Sequence, residues 1–121
     1  MAQDFGINSV EYQDKPFLGD HPPIIMPGTL LSGQNLVSGT VVGVVTSSGK
    51  KMILTPGASD GSQNAAAVLL GDLDAGSGDE PGVFVEHGVV MDMYLTWPSG
   101  ITAPQKTAAI AQLKSAGVFV K

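Results

Sequence analysis

The sequence predicts a mainly β fold with little helix (α+β), arranged as one domain with an extended N-terminal arm. Sixteen Gly and eight Pro among 121 residues indicate many turns and short elements. The chain is 43% hydrophobic and 14% charged, which suffices for one core. A chain of this length does not enclose a second core, so any additional segment is expected to be an arm. We therefore predict an arm over residues 1–28 and a β-rich domain over residues 29–121.

Apolar runs bounded by turn residues predict the strands of this domain. Residues 39–46 are rich in Val and Thr, which favour strands, and a turn at residues 47–50 returns the chain into residues 51–55. This is the best hairpin candidate of the sequence. The continuous apolar run of residues 65–70 predicts a strand buried on both faces, although its three Ala leave a helix as the alternative.

The second half of the domain predicts a further pair of strands. Residues 71–82 form an acidic, Gly-rich loop, and the two strands follow it at residues 83–85 and 89–95. Residues 86–88 are the expected bend between them. A short final strand is predicted over residues 118–120.

One helix is predicted near the end of the chain. Thr102 and Gln105 have the spacing of a capping box, and Gly117 is a natural helix end. Pro104 suits the first helical positions, where its missing N–H costs little. Ile110 and Leu113 share one face of this helix, and the side chains expected to point outward are Lys106 and Lys114.

Residues 1–28 differ from the domain in the pattern of their apolar residues. Their apolar side chains are interrupted, and within two pairs they alternate with period two, which is typical of an extended strand with a bulge. A Pro cluster ends the segment, and no run in it is long enough to close a core. We interpret it as an arm that orders on contact with a partner. Its candidate contact residues are Phe5, Ile7, Val10, Tyr12, Phe17 and Leu18.

The charge balance argues against nucleic acid and membrane partners. The formal net charge is −5, and all six basic residues are Lys. Arg supplies the planar fork that binds phosphates and base edges, and positive charge drives most nucleic-acid affinity. An anionic membrane would also repel an acidic chain. We therefore expect no nucleic acid and no membrane partner.

The cysteine count and the first residues indicate where the protein is made. The chain has no Cys, so it forms neither disulfides nor thiolate metal sites. Its first residues lack the basic start and apolar run of a signal peptide. The expectation is synthesis in the cytoplasm.

No constellation of residues predicts a catalytic, cofactor or metal site. His21 and His87 both fall in expected loops or bends without the spacing of metal ligands. No Gly-x-Ser-x-Gly motif occurs in a strand–turn–helix context. The sequence has one acidic cluster, which consists of Asp72, Asp74, Asp79 and Glu80. Its spacing departs from the calcium-loop pattern. We therefore favour a solvated, flexible loop over a calcium site. We expect no enzymatic activity and no cofactor.

The single Trp, Trp97, is followed by Pro98. Trp offers the largest apolar surface of any side chain, so this pair is a candidate anchor of the core or of a subunit (trimer) interface. A platform for stacking a carbohydrate is the functional alternative.

Eight short segments occur in a set order along the chain, at residues 39–46, 48–50, 60–63, 67–70, 72–74, 87–90, 95–98 and 113–120. In this order and spacing, residues 39–121 resemble the head decoration proteins of lambda-like bacteriophages. The resemblance implies a β-tulip-like domain and a structural, capsid-stabilising role. It also implies homotrimers at threefold and quasi-threefold positions of the expanded head, with the N-terminal segment facing the capsid.

The resemblance further implies that the partners are the major capsid protein and other copies of this chain. The protein would assemble in the host cytoplasm and lie on the outer surface of the virion capsid. A different class of protein remains as the alternative: a soluble β-sandwich or barrel binding module, either carbohydrate-binding or adhesin-like.

Overall fold

The computed structural model describes residues 23–121, which form eight strands, one α-helix and one short 3₁₀ helix. The helix α1 is Ala103–Ala116 and the 3₁₀ helix is Asp92–Tyr94. The prediction of a mainly β fold with little helix is confirmed. The strands are β1 (Ile24–Leu30), β2 (Asn35–Leu36), β3 (Val41–Val44), β4 (Lys51–Ile53), β5 (Ala65–Leu70), β6 (Leu73–Asp74), β7 (Glu80–Val90) and β8 (Val118–Val120).

Five strands form a small closed barrel. Each strand pairs with the next in the order β1-β4-β3-β5-β7, and β7 pairs in turn with β1. The pairs are antiparallel except β1–β4, which is parallel. Strand β8 extends the sheet by pairing parallel with β7, whereas β2 and β6 form a separate two-stranded sheet.

The barrel closes at a narrow seam between β1 and β4. Leu30 and Lys51 are the paired residues there, and the backbone N–H of Leu31 donates to the carbonyl of Lys51 at 2.8 Å. The side chain of Gln34 bridges the rest of the seam: its Oε1 accepts from the Ile53 N–H at 2.7 Å, and its Nε2 donates to the Leu31 carbonyl at 3.1 Å. The side-chain amide of Gln34 therefore makes hydrogen bonds to backbone groups that a longer β1–β4 pairing would otherwise satisfy.

The predicted hairpin and the predicted two-faced strand are both confirmed. Strands β3 and β4 pair antiparallel, and the Val45 N–H donates to the carbonyl of Lys50 across the turn. Strand β5 has bounds Ala65–Leu70, as predicted, and four of its six residues are buried. Its central place between β3 and β7 explains the continuous apolar run.

The apolar residues divide into two clusters on opposite faces of the barrel wall. Neighbouring residues such as Val41 and Val42, or Phe84 and Val85, belong to different clusters because successive side chains of a strand point to opposite faces. One cluster contains Leu30, Leu36, Val42, Ala67, Leu69, Ala75 and Phe84, and it fills the barrel. The other, which we call the outer core cluster, joins the outer face of the barrel to Ala109 and Leu113 of α1 and to Val118 of β8.

The predicted strand pair at residues 83–85 and 89–95 is wrong. Strand β7 runs without a break from Glu80 to Val90, so residues 86–88 are not a bend between two strands. His87 pairs with Ile24 of β1, and Gly88 pairs with Val118 of β8. Because partners distant in sequence take up these backbone groups, the local turn signal does not turn the chain. Residues 92–94 form the 3₁₀ helix instead of a strand.

The predicted helix is confirmed with both of its ends. Thr102 Oγ1 accepts from the Gln105 N–H at 3.3 Å, and Gln105 Oε1 accepts from the Thr102 N–H at 3.0 Å. Gly117 ends the helix in the left-handed conformation at φ +106°. Lys114 is exposed as expected, but Lys106 is half-buried and its Nζ lies 3.1 Å from the Asp92 carboxylate.

The first strand starts within the segment that the sequence assigned to the arm. Residues 24–28 belong to β1 and pair along β7, from Ile24 opposite His87 to Gly28 opposite Gly82. The Lys51 side chain lies beside them: it is largely buried, and its Nζ is 5.1 Å from the centroid of the Phe84 ring and 3.4 Å from Glu86 Oε2. Residues 24–28 are thus part of the barrel wall.

Candidate functional site

The six arm residues proposed from the sequence lie outside the described residues. They are Phe5, Ile7, Val10, Tyr12, Phe17 and Leu18. The described chain begins at Pro23, which lies against Gly88 of β7. A Cβ on Gly88 would come within 3.1 Å of the Cα of Pro23, and Gly88 has φ +141°. This glycine therefore allows the start of the described chain to lie directly against β7.

An exposed apolar surface surrounds this point. Ile24 is 53% exposed and pairs with His87, and Phe119 of β8 is 40% exposed. The rings of His87 and Phe119 meet edge to face, with their centroids 6.5 Å apart and an interplanar angle of 79°. We call Ile24, His87 and Phe119 the junction surface, because it lies where the chain enters from residues 1–22.

Sequence reasoning missed the junction surface, since its members come from three distant strands. One local signal existed for Phe119. The flanking Val118 and Val120 share a face by period two, and Val118 is fully buried while Phe119 points to the other side and is exposed. No comparable signal marks Ile24, whose neighbour Ile25 packs against the outer core cluster.

Trp97 is half-buried, packs against the outer core cluster and takes part in a polar contact. Its Nε1 donates to Asp92 Oδ1 at 2.9 Å, and Lys106 Nζ lies 5.3 Å from the centroid of its ring. Lys106 Nζ also donates to Asp92 Oδ2 at 3.1 Å. These three side chains, which we call the Trp97 cluster, join the 3₁₀ helix to the first turns of α1. Pro98 is half-buried next to them.

The Trp97 cluster lowers the pKa of Asp92. Partial burial by itself raises that pKa, but the hydrogen bonds from Trp97 and Lys106, together with the charge of Lys106, outweigh it. The carboxylate therefore stays ionised to lower pH than a free Asp. The sequence did not mark Asp92, and it placed Lys106 only on the outward side of the helix, because only the fold brings these two residues to Trp97.

A second exposed apolar area precedes Trp97. Met93 is 75% exposed and Tyr94 is 44% exposed, both in the 3₁₀ helix. Gly39 lies against the backbone there, since a Cβ on it would stand 2.6 Å from the Tyr94 carbonyl oxygen. The strand predicted over residues 89–95 did not indicate that Met93 and Tyr94 are exposed.

The acidic cluster of the sequence is dispersed in the structure, and its loop is tied to the barrel. Asp72 Oδ1 accepts from the Ser38 N–H at 2.8 Å, and Asp79 Oδ1 accepts from the Ser32 N–H at 2.8 Å. Asp79 also pairs with Lys50, and residues 73–74 form β6. The predicted solvation is confirmed, because all four acidic residues are exposed, but the segment is not a plain loop, since residues 73–74 form a strand. Within residues 23–121, no three His, Cys, Asp or Glu residues are grouped so as to hold a metal ion.

Comparison with known proteins decides the family. The family model described as bacteriophage lambda head decoration protein D matches residues 24–118. The chain belongs to the head decoration family. A search of curated proteins found no match. The family match begins at Ile24, the first residue of β1. It therefore also includes β1 and β2, which precede the segment from residue 39 onwards that carried the resemblance in the sequence.

Membership of the head decoration family establishes the general role of the chain. It is a structural protein of the phage capsid, where it decorates the head, and its place is the virion. Neither helix among the described residues is long and apolar enough to cross a membrane. The junction surface and the Trp97 cluster both lie in or beside the matched segment, whereas residues 1–23 precede it.

Proposed function

We propose that this head decoration protein binds the expanded head as a homotrimer at threefold and quasi-threefold positions and stabilises the shell there. The observation that carries the proposal is the family match over residues 24–118. A protein that binds only the expanded shell stabilises that state by mass action. The major capsid protein and other copies of the chain are the proposed partners.

The proposed shell-binding element is the N-terminal arm, with the junction surface at its base. An arm that forms a strand adds to an exposed sheet edge of the shell, where backbone hydrogen bonds provide affinity. The arm precedes β1 directly in the chain, so Ile24 and the neighbouring Phe119 are included in the proposed contact. The exposure of these two side chains, 53% and 40%, supports this contact because an apolar contact area is available there.

The proposed subunit interface includes Met93 and Tyr94, with the Trp97 cluster and Pro98 behind them. A Met side chain that is 75% exposed gains free energy from any contact that covers it. Head-to-tail contacts of this kind close into a ring when the rotation between subunits is threefold. A trimer presents three arms together, so weak contacts of single arms combine through effective concentration.

The alternative of a carbohydrate-binding module has less support. A stacking platform requires an open aromatic face, but Trp97 is half-buried and Lys106 Nζ lies over its ring.

Deletion of residues 1–20 tests the role of the arm. We expect the truncated protein to keep its melting transition and to remain a trimer in sedimentation equilibrium, but to lose co-sedimentation with expanded heads.

Ile7→Pro removes a backbone donor and restricts φ, so it should weaken head binding strongly, whereas Ile7→Val should be nearly silent. Truncated protein that decorates heads at near wild-type occupancy would exclude the arm as the anchor. A monomer at every concentration would exclude the trimer.

A further inference from the structure

The outer face of the barrel sheet is only partly covered by the rest of residues 23–121. The helix α1 packs on it at Val68 and Val85, which share the outer core cluster with Ala109 and Leu113. Farther along the same strands the face remains open and carries apolar residues. We call this area the sheet patch, and it consists of Pro27, Leu70, Pro81 and Val83.

The pairing of three strands brings the sheet patch together. Val83 of β7 pairs with Pro27 of β1 on one side and with Leu70 of β5 on the other. Pro81 lies two residues before Val83 and therefore points to the same face. Val83 is 40% exposed, both prolines are exposed, and Leu70 is half-buried. Because Pro loses no rotamer freedom on burial, covering this patch costs little entropy.

A second apolar area lies beyond the other end of β7. It consists of Met93 and Tyr94, and we call it the Met93 patch. Strand β7 runs from Glu80 to Val90, so the sheet patch lies near its start and the Met93 patch follows its end. From Val83 to Val90 an extended strand advances about 23 Å, at roughly 3.3 Å per residue. One subunit therefore carries two separate apolar areas.

A closed ring of three subunits requires two different surfaces on each subunit. In such a head-to-tail contact one surface of each copy covers the other surface of the next, whereas a twofold contact places one surface against itself. The proposed trimer assigns the Met93 patch to one side of this contact. The other side must be an apolar surface away from that patch, and it must consist of other residues than the junction surface, which is proposed to contact the shell. The sheet patch meets both conditions.

The two patches also match in their chemistry. A Met side chain adapts its shape to the surface that it covers, and an aromatic ring such as that of Tyr94 packs well on the proline rings of the sheet patch. The charges at the edges of the patches are opposite. Glu80, which is exposed, adjoins the sheet patch at Pro81. Lys121, which is also exposed, lies beside the Met93 patch, because its carbonyl accepts from the Asp92 N–H at 2.9 Å. Opposite charges at the rim favour one orientation of the two copies.

We infer that the sheet patch of one copy binds Met93 and Tyr94 of the next copy, so that the proposed trimer closes head to tail through these two patches. The inference rests on the proposed trimer and adds the second half of its subunit interface. A trimer that closes through other surfaces would leave the proposed function in place and remove only this assignment.

Engineered thiols test this contact directly, because the chain has no Cys. Full-length Met93→Cys/Val83→Cys protein is treated with 1,2-bis-maleimidoethane, a short thiol cross-linker, and separated on a denaturing gel. We expect covalent trimers, since every interface would hold one thiol of each kind, and we expect none from either single variant. Met93→Cys/Ile24→Cys is the matched control, because Ile24 is exposed but lies outside the sheet patch, and it should also give none.

Sedimentation equilibrium of the same samples separates the failure of this inference from the failure of the proposed function. A trimer in sedimentation that yields no covalent trimers from Met93→Cys/Val83→Cys would overturn the head-to-tail assignment alone, and would leave the sheet patch to the arm or the shell. Covalent dimers from Met93→Cys alone would indicate a twofold contact and would also overturn it. A monomer at every concentration would overturn both the inference and the proposed trimer.

Val83→Thr tests the sheet patch without a cross-linker. Thr keeps the shape of Val and its preference for strands, so the subunit should fold as before. Covering the new hydroxyl at the interface should raise the dissociation constant of the trimer about fivefold. Ile24→Thr makes a comparable change outside the sheet patch and should leave trimer dissociation unchanged. Equal dissociation constants for the wild type and Val83→Thr would contradict the inference.

Discussion

The carboxylate of Asp92 accepts the indole N–H of Trp97 at 2.9 Å, and this bond connects the 3₁₀ helix to the outer core cluster. The second carboxylate oxygen accepts from Lys106 at 3.1 Å, so one Asp joins two elements that follow one another in the chain. The relationship explains why Trp97 is only half-buried: its ring packs on the core, whereas its polar edge reaches a carboxylate at the surface.

Asp92→Asn tests the ion pair of the Trp97 cluster. Asn still accepts from Trp97 but loses the charge interaction with Lys106, whose side chain is 35% exposed against 39% for Asp92. Because both groups are partly solvated, we expect a loss of about 0.5 kcal/mol in the free energy of unfolding at neutral pH. Urea unfolding measures it. In a double-mutant cycle with Lys106→Gln, the two losses should not add; full additivity would show that the pair does not interact.

The same substitution has a defined pH dependence. The folded-state pKa of Asp92 lies below the ordinary value of 3.8, so its contribution to stability is fully present above that value and is lost as the pH falls through the folded-state pKa. The stability difference between the wild type and Asp92→Asn should therefore be constant from neutral pH down to mildly acidic pH and should shrink below 3.8. A difference that grows on acidification has the opposite sign and would contradict the lowered pKa.

Gly43→Ala tests the packing of the loop before β5 against β3. A Cβ on Gly43 would stand 2.7 Å from the Ser62 carbonyl oxygen and 2.8 Å from that of Asn64. Backbone atoms yield little, so we expect a loss of about 1–3 kcal/mol in the free energy of unfolding. Gly57→Ala is the matched control, because open space surrounds that position and its φ is not positive. It should change stability by no more than about 0.5 kcal/mol. Equal stability of the two variants would show that the loop before β5 does not pack against Gly43.

The parts of the fold that rest on neighbouring residues were predictable from the sequence. The capping box at Thr102 and Gln105 fixes the start of α1, and the turn after β3 determines the hairpin. These elements depend on residues within a few positions of one another. Strand β5 was also predictable, because burial on both faces leaves a continuous apolar run.

The parts that depend on distant residues were not predictable. The turn signal at residues 86–88 is overridden because Ile24 and Val118 supply strand partners for His87 and Gly88. Residues 89–95 are mostly apolar, as in a strand, but residues 92–94 form a 3₁₀ helix in which the Tyr94 N–H donates to the Met91 carbonyl. The same holds for the candidate sites: only the fold brings Lys106 of α1 to Asp92, and only the sheet brings the three strands of the junction surface together.

Ile24→Thr tests the junction surface. Thr retains a high preference for strands, and Ile24 is 53% exposed, so the melting temperature should change little. If the surface contacts the shell, covering a polar side chain there costs affinity, and occupancy of expanded heads should fall several-fold at limiting protein. Val37→Thr is the control, since Val37 is 52% exposed and lies outside the junction surface. Occupancy that falls equally for both variants, or for neither, would remove the junction surface from the shell contact.

The preference for one state of the head is the central claim, and parallel co-sedimentation measures it. Purified protein is mixed with expanded heads and with unexpanded heads of the same phage, and the bound fraction is followed across protein concentration. We predict saturable binding to expanded heads, at a fixed number of copies per head that is a multiple of three, with little binding to unexpanded heads. Equal binding to both states, or binding to neither, would contradict the account.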